Sequence, residues 1–145
     1  MSTILVGVDS GDSSTRAVEF AVEAARGADA DVDIVIAHVI HWSPFTFNTP
    51  TDNEERPRKR AEEIEHARTA VVGPMVALAE ESGHRVRSEI RHGNPARTLI
   101  ALAKESEASQ IVVGRTGDGG FTEAVFGSVV GRLAQTSLVP VTVVP

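Results

Sequence analysis

The segment Gly114-Arg115-Thr116-Gly117-Asp118-Gly119-Gly120-Phe121-Thr122-Glu123-Ala124-Val125-Phe126-Gly127-Ser128 gathers the residues best suited to chemistry in this chain. Glycines let main-chain N–H groups approach and wrap an anion. Gly127-Ser128 stands where a helix is expected to open. A helix start adds free donors and partial positive charge, and the Ser128 hydroxyl adds one more donor. The combination suits phosphate. It suits equally a strand-to-helix connection with glycine at its turns, and residue chemistry leaves both readings open.

Other nucleotide motifs are missing. A Walker loop needs Gly-Lys followed by Ser or Thr, and neither lysine, Lys59 or Lys104, follows a glycine. Gly117-Asp118-Gly119 would need glycine at 122 for a dinucleotide fingerprint, and Thr122 stands there. Asp9 and Asp12 have the oxygens to share Mg²⁺ with phosphate, although capping a helix is the better role for Asp12. His41 is within reach of a ligand near His38, or is a solvated loop residue. His66, His84 and His92 lack metal-ligand spacing. Gly127-Ser128-Val129-Val130-Gly131 misses the Gly-x-Ser-x-Gly nucleophile pattern by one position. Arg56 to Arg60, interrupted by Pro57 and followed by Glu62 and Glu63, reads as a solvated helix start.

The elements that must position these residues follow from periodicity. Thr3 to Asp9 is a β-branched apolar run, suited to a strand buried on both faces. Asp9 to Ser13 is a loop, with Asp12 or Ser13 as N-cap. Ala17, Phe20, Ala21 and Ala24 repeat at helical spacing over Ser14–Arg26, and Gly27 stops the helix. Val32 to Ile40 is a second strand. His41 to Pro57, with Trp42, Phe45 and Phe47, shows no period and reads as a long functional connection. Ile64, Ala67, Val71, Met75, Leu78 and Ala79 mark one helix face over Arg58–Ser82, with a kink or break expected at Gly73-Pro74. Arg85 to Arg91 alternates like an edge strand. Asn94-Pro95 starts a helix as N-cap and first position. Gln110 to Gly114 is a buried strand, Gly127 to Thr136 a helix, and Pro140 to Val144 a terminal strand. Alternating strands and helices predict a parallel sheet with helices on both faces. Ligands in such folds bind beyond the strands' carboxyl ends. Here those ends are Asp9, Val39 to His41, and the loop after Gly114.

Composition narrows the function. The chain has 145 residues, 14 Lys plus Arg against 20 Asp plus Glu, a formal charge of −6 and no cysteine. One domain over residues 1–145 is expected. The acidic balance argues against a nucleic-acid binder or a membrane-surface binder. Thiolate catalysis, disulfides and cysteine metal sites are excluded. Without a signal-like leader or an apolar run long enough to span a membrane, a cytoplasmic protein with no membrane insertion is expected.

Gly114-x2-Gly117-x9-Gly127-Ser128 resembles the G-x2-G-x9-G-[ST] signature of the ATP-binding branch of the universal stress protein family. Ile4-Leu5-Val6-Gly7-Val8-Asp9, Ala37-His38-Val39, His92-Gly93-Asn94-Pro95, Ile111-Val112-Val113-Gly114 and Val139-Pro140-Val141-Thr142-Val143-Val144 resemble the family's other segments in order. The resemblance covers essentially the whole chain. It implies a flavodoxin-like fold, akin to the adenine nucleotide alpha hydrolases, with five parallel strands in the order 3-2-1-4-5. It implies ATP, or ADP or AMP, with Mg²⁺ optional. Gly7, Val8 and Asp9 would line the nucleoside, and Val39 would offer main-chain groups to the adenine edge. Gly114, Arg115 and Gly117 would follow the ribose and α-phosphate. Gly127, Ser128 and Val129 would meet the outer phosphates. Ser109 stands where the family often has an acidic residue, far from the ligand.

The function expected on this resemblance is a nucleotide-sensing regulatory module in stress response, read by a protein partner that the sequence does not name. Slow ATP hydrolysis or autophosphorylation is the alternative, since phosphoryl transfer depends largely on positioning and charge; a nucleotide-free interaction module is the third reading. A homodimer through the terminal strand, including Val141 and Val143, is implied. The connection carrying Trp42 is expected to overhang the adenine side as a lid.

Overall fold

The computed structural model describes residues 2–28, 31–41, 50–115 and 122–145, with side chains described outside 50–56 and 122–128. In chain order the elements are β1 Ser2–Gly7, α1 Asp12–Arg26, β2 Val32–His41, α2 Pro50–Ala67, a π-helical turn Arg68–Val72, α3 Gly73–Glu80, β3 Val86–Gly93, α4 Pro95–Ser106, β4 Ala108–Gly114, α5 Thr122–Thr136 and β5 Val141–Val144. The strands form one sheet in the order β3-β2-β1-β4-β5. All four pairings are parallel, as expected for strands separated by helical crossovers.

The sheet buries both faces because each inner strand alternates apolar residues above and below its plane. Ile4, Val6, Ile34, Ile36 and Val112 face one way and pack with Val18, Val22, Val72 and Ala79 of α1, the π-helical turn and α3. Leu5, Val35, Ala37, Ile111 and Val113 face the other way, against Leu99 and Leu102 of α4 and Val129 and Leu133 of α5. Each fully buried aliphatic side chain of this size contributes about 1.5–3 kcal/mol. This two-sided core holds the strand ends in place.

Several boundaries differ from expectation. Neither Asp12 nor Ser13 caps α1: Gly11 is the N-cap, with extended backbone and no side-chain cap bond, and Asp12 is the first helical residue. The turn before α1 is held instead by hydrogen bonds between Asp9 and Ser14. Helix α2 starts at Pro50, within the expected loop, and continues through Pro57. Its first turn is Pro-Thr-Asp-Asn, and Glu54 and Glu55 follow. Proline at the first position and early acidic residues favour a helix start without an apolar face.

No break occurs at Gly73-Pro74. The N–H of Gly73 reaches back five residues to the Arg68 carbonyl, and α3 follows directly. Proline cannot supply the next helical donor, and the wider π-helical turn before it absorbs the mismatch. Helix α5 begins at Thr122 rather than Gly127, with Glu123 in its first turn where an acidic side chain complements the helix dipole. Asn94 caps α4 as expected, accepting from the Arg97 N–H at 3.0 Å.

Candidate functional site

Strand β1 ends at Gly7, paired with Ala37 of β2 on one side and Val113 of β4 on the other. The chain then leaves the sheet as a fixed turn. The Val8 N–H donates to the Ala37 carbonyl at 2.8 Å, and His38 Nδ1 lies 2.7 Å from the Val8 carbonyl oxygen. The Asp9 N–H donates to Ser14 Oγ at 2.8 Å. Asp9 Oδ1 accepts from the Gly11 N–H at 2.8 Å and from Ser14 Oγ at 3.0 Å. The turn is thereby tied to β2 and to α1 before any ligand arrives.

A cavity of 290 Å³ opens at this place. Gly7, Val8 and Asp9 form one wall, Ala37 to His41 of β2 another, and Pro95, Leu99, Val113 and Val129 the floor and far side. Gly7 lets Leu99 close in: a Cβ there would lie 3.1 Å from Leu99 Cδ1 and 3.2 Å from Val113 Cγ1. The cavity is mostly apolar, with main-chain groups and a few polar side chains at its rim. That is the usual make-up of a small-molecule site, and the carboxyl ends of α/β strands are the usual place for one. Away from it, Arg91 of β3 donates to Glu105 of α4 at 2.9 Å. This bond raises the Arg91 pKa above its ordinary value.

Of the residues expected from sequence, Gly7, Val8, Asp9, Val39 and Val129 come together around this cavity. Gly114 ends β4, one residue beyond the lining residue Val113. A Cβ on Gly114 would clash with Ser13 of α1, so its glycine character is explained by packing. Exposed Arg115 donates its N–H to the Val144 carbonyl of β5 at 2.6 Å. Gly127 and Ser128 lie on α5 inside its first turns rather than at its opening. Gly117 lies outside the described residues, as do Trp42, Phe45 and Phe47.

Sequence reasoning missed Ala37, Pro95, Leu99 and Val113. Each carries an ordinary core or capping signal, and only the register of strands and α4 shows that these residues also face the cleft.

The model of the universal stress protein family matches residues 1–145. The chain belongs to this family. Universal stress protein YxiE of Bacillus subtilis is 30% identical over 145 residues, covering 97% of this chain and 97% of the relative. Universal stress protein Rv1636 of Mycobacterium tuberculosis is 30% identical over 149 residues, covering 98% and 94%. Among solved structures, universal stress protein UspA from Lactobacillus plantarum superposes with a TM-score of 0.80 at 25% identity, covering 99% of this chain and 97% of that one. A universal stress protein in complex with cAMP superposes with a TM-score of 0.60 at 26% identity, covering 99% and 96%. The two solved structures share the fold described above.

Proposed function

We propose that this universal stress protein binds an adenine nucleotide, with ATP as the first candidate, and acts as a regulatory module in stress response. The observation that carries the reading is the cleft itself: an apolar cavity at the carboxyl ends of β1, β2 and β4, closed on one side by the braced Gly7–Asp9 turn. A relative of similar fold has been solved with cAMP, which supports an adenine ring in such a cleft. The base and ribose would lie between Val39 and the Gly7-Val8-Asp9 turn, against Leu99 and Val129. The phosphates would run toward Gly114, Arg115, Gly117 and the start of α5, with Gly127 and Ser128 at the outer end. Mg²⁺ would arrive with the phosphates. The assembly would be a homodimer through β5, an edge strand on which Val143 is 39% exposed.

Calorimetric titration with Mg-ATP, ADP, AMP and cAMP tests the reading. Saturable binding is expected, with amide shifts at Gly7, Asp9, Val39 and Val129. Gly127→Val is expected to weaken Mg-ATP more than Ser128→Ala, because a branched side chain on this face of α5 obstructs the approach of the phosphates and the alanine removes one hydroxyl. Each charge-assisted hydrogen bond contributes roughly 1.5–3 kcal/mol, and about 1.4 kcal/mol is tenfold in affinity. Absence of binding at millimolar nucleotide would overturn the proposal.

A further inference from the structure

The Val8–Asp9 peptide is held at both ends by side chains from different elements. Its N–H donates to Ser14 Oγ of α1 at 2.8 Å. Its carbonyl faces His38 Nδ1 of β2 at 2.7 Å. Main-chain pairing between β1 and β2 ends with the Val8 N–H on the Ala37 carbonyl at 2.8 Å, so the imidazole carries the tie one group further, to the Val8 carbonyl. A carbonyl only accepts, so Nδ1 must carry the hydrogen in this contact. His38 is half-buried and lines the cleft beside Val8, Asp9 and Val39. It also borders a second cavity of 380 Å³ shared with Ile40, Lys59, Glu62 and His66. Val8 is 5% exposed, so little water can reach its carbonyl if the imidazole is removed.

We infer that His38 is a positioning residue for the nucleotide cleft: its Nδ1–H holds the Val8 carbonyl and thereby sets the direction of the Val8–Asp9 peptide that lines the ligand. The inference rests on the adenine-nucleotide reading for its functional half and on the hydrogen bond alone for its geometric half. A side chain that supplies a donor at the Nδ1 position should preserve the arrangement. One that fills the volume without a donor should not. Loss of a hydrogen bond to a buried acceptor predicts about a tenfold loss of affinity.

The experiment has two arms. Long-range proton–nitrogen NMR on the unliganded protein is expected to show hydrogen on His38 Nδ1, and exchange of the Asp9 amide is expected to quicken in His38→Leu. Calorimetry with Mg-ATP and cAMP is expected to show about a tenfold loss in His38→Leu and recovery to within about threefold in His38→Asn, whose amide nitrogen occupies the Nδ1 position. Val32→Ala, at the opposite end of β2, is the control and should lower stability without lowering affinity. An Nδ1 that carries no hydrogen overturns the inference, as does equal binding by the Leu and Asn variants. If the unaltered protein binds no nucleotide, the functional reading falls. The tautomer and the Asp9 exchange rate then still decide whether His38 holds the peptide.

Discussion

A methyl group on Gly114 would lie 2.7 Å from Ser13 Cβ and 2.9 Å from the Ser13 carbonyl carbon, while one on Gly131 would meet nothing within 4 Å. The two glycines should therefore respond in opposite directions. Gly114→Ala pushes the start of α1 off β4 and is expected to destabilise by about 1–3 kcal/mol, as overpacking does. Gly131→Ala, at an open position on α5, is expected to stabilise by about 0.5–1 kcal/mol. Urea unfolding of both variants checks the pair. A nucleotide-binding loss in Gly114→Ala would then include movement of Ser13 and Ser14, and hence of Asp9. At this scale the sequence was half legible. Asp9 announces itself as a polar residue at a strand's end. Leu99 does not, because a helix-spaced leucine has the same pattern whether it faces only core or also a cleft.

Elements were legible where local chemistry and apolar period agreed. Asn94-Pro95 gave both a cap and a first helical residue, and the cap bond to Arg97 is present. Asn94→Ala should cost about 1 kcal/mol, within a range of roughly 0.5–2, and Asn94→Asp should cost less. Thermal unfolding of the three proteins provides the comparison. Four strands were readable because each pairs a β-branched run with a turn signal, and β3 was readable from the alternation of Arg85 to Arg91. Helix α2 was not readable at its start: its described residues from Pro57 to Glu63 are all exposed, so no apolar stripe marks that turn. Gly73-Pro74 was read as a kink or break, and the structure has a π-helical turn directly before it rather than a break. A proline in a helix removes a donor, but one widened turn satisfies the chain as well as a break does, and periodicity cannot tell the two apart.

For the whole molecule, the two sheet edges are unlike. At β3, Arg91 is paired with Glu105 and Glu89, and charged side chains discourage pairing with another chain. At β5, Val143 is exposed and Val141 half-buried, while Arg16 of α1 donates to the Pro145 carbonyl. Val143→Asp is expected to convert a dimer into a monomer, measured by light scattering at high micromolar concentration. A wild-type monomer under those conditions would remove the proposed interface. The central position of β1 has a separate consequence for how the chain is made. Thr3 pairs with Ala108, so β1 waits for β4, about a hundred residues later in the chain. At about 5–20 residues per second the wait is on the order of ten seconds. Throughout it, an apolar strand leaves the ribosome with one edge unpaired and a long loop still to close. Chains halted before Ala108 should therefore accumulate in inclusion bodies, and the growing chain has a built-in reason to need a chaperone until β4 emerges.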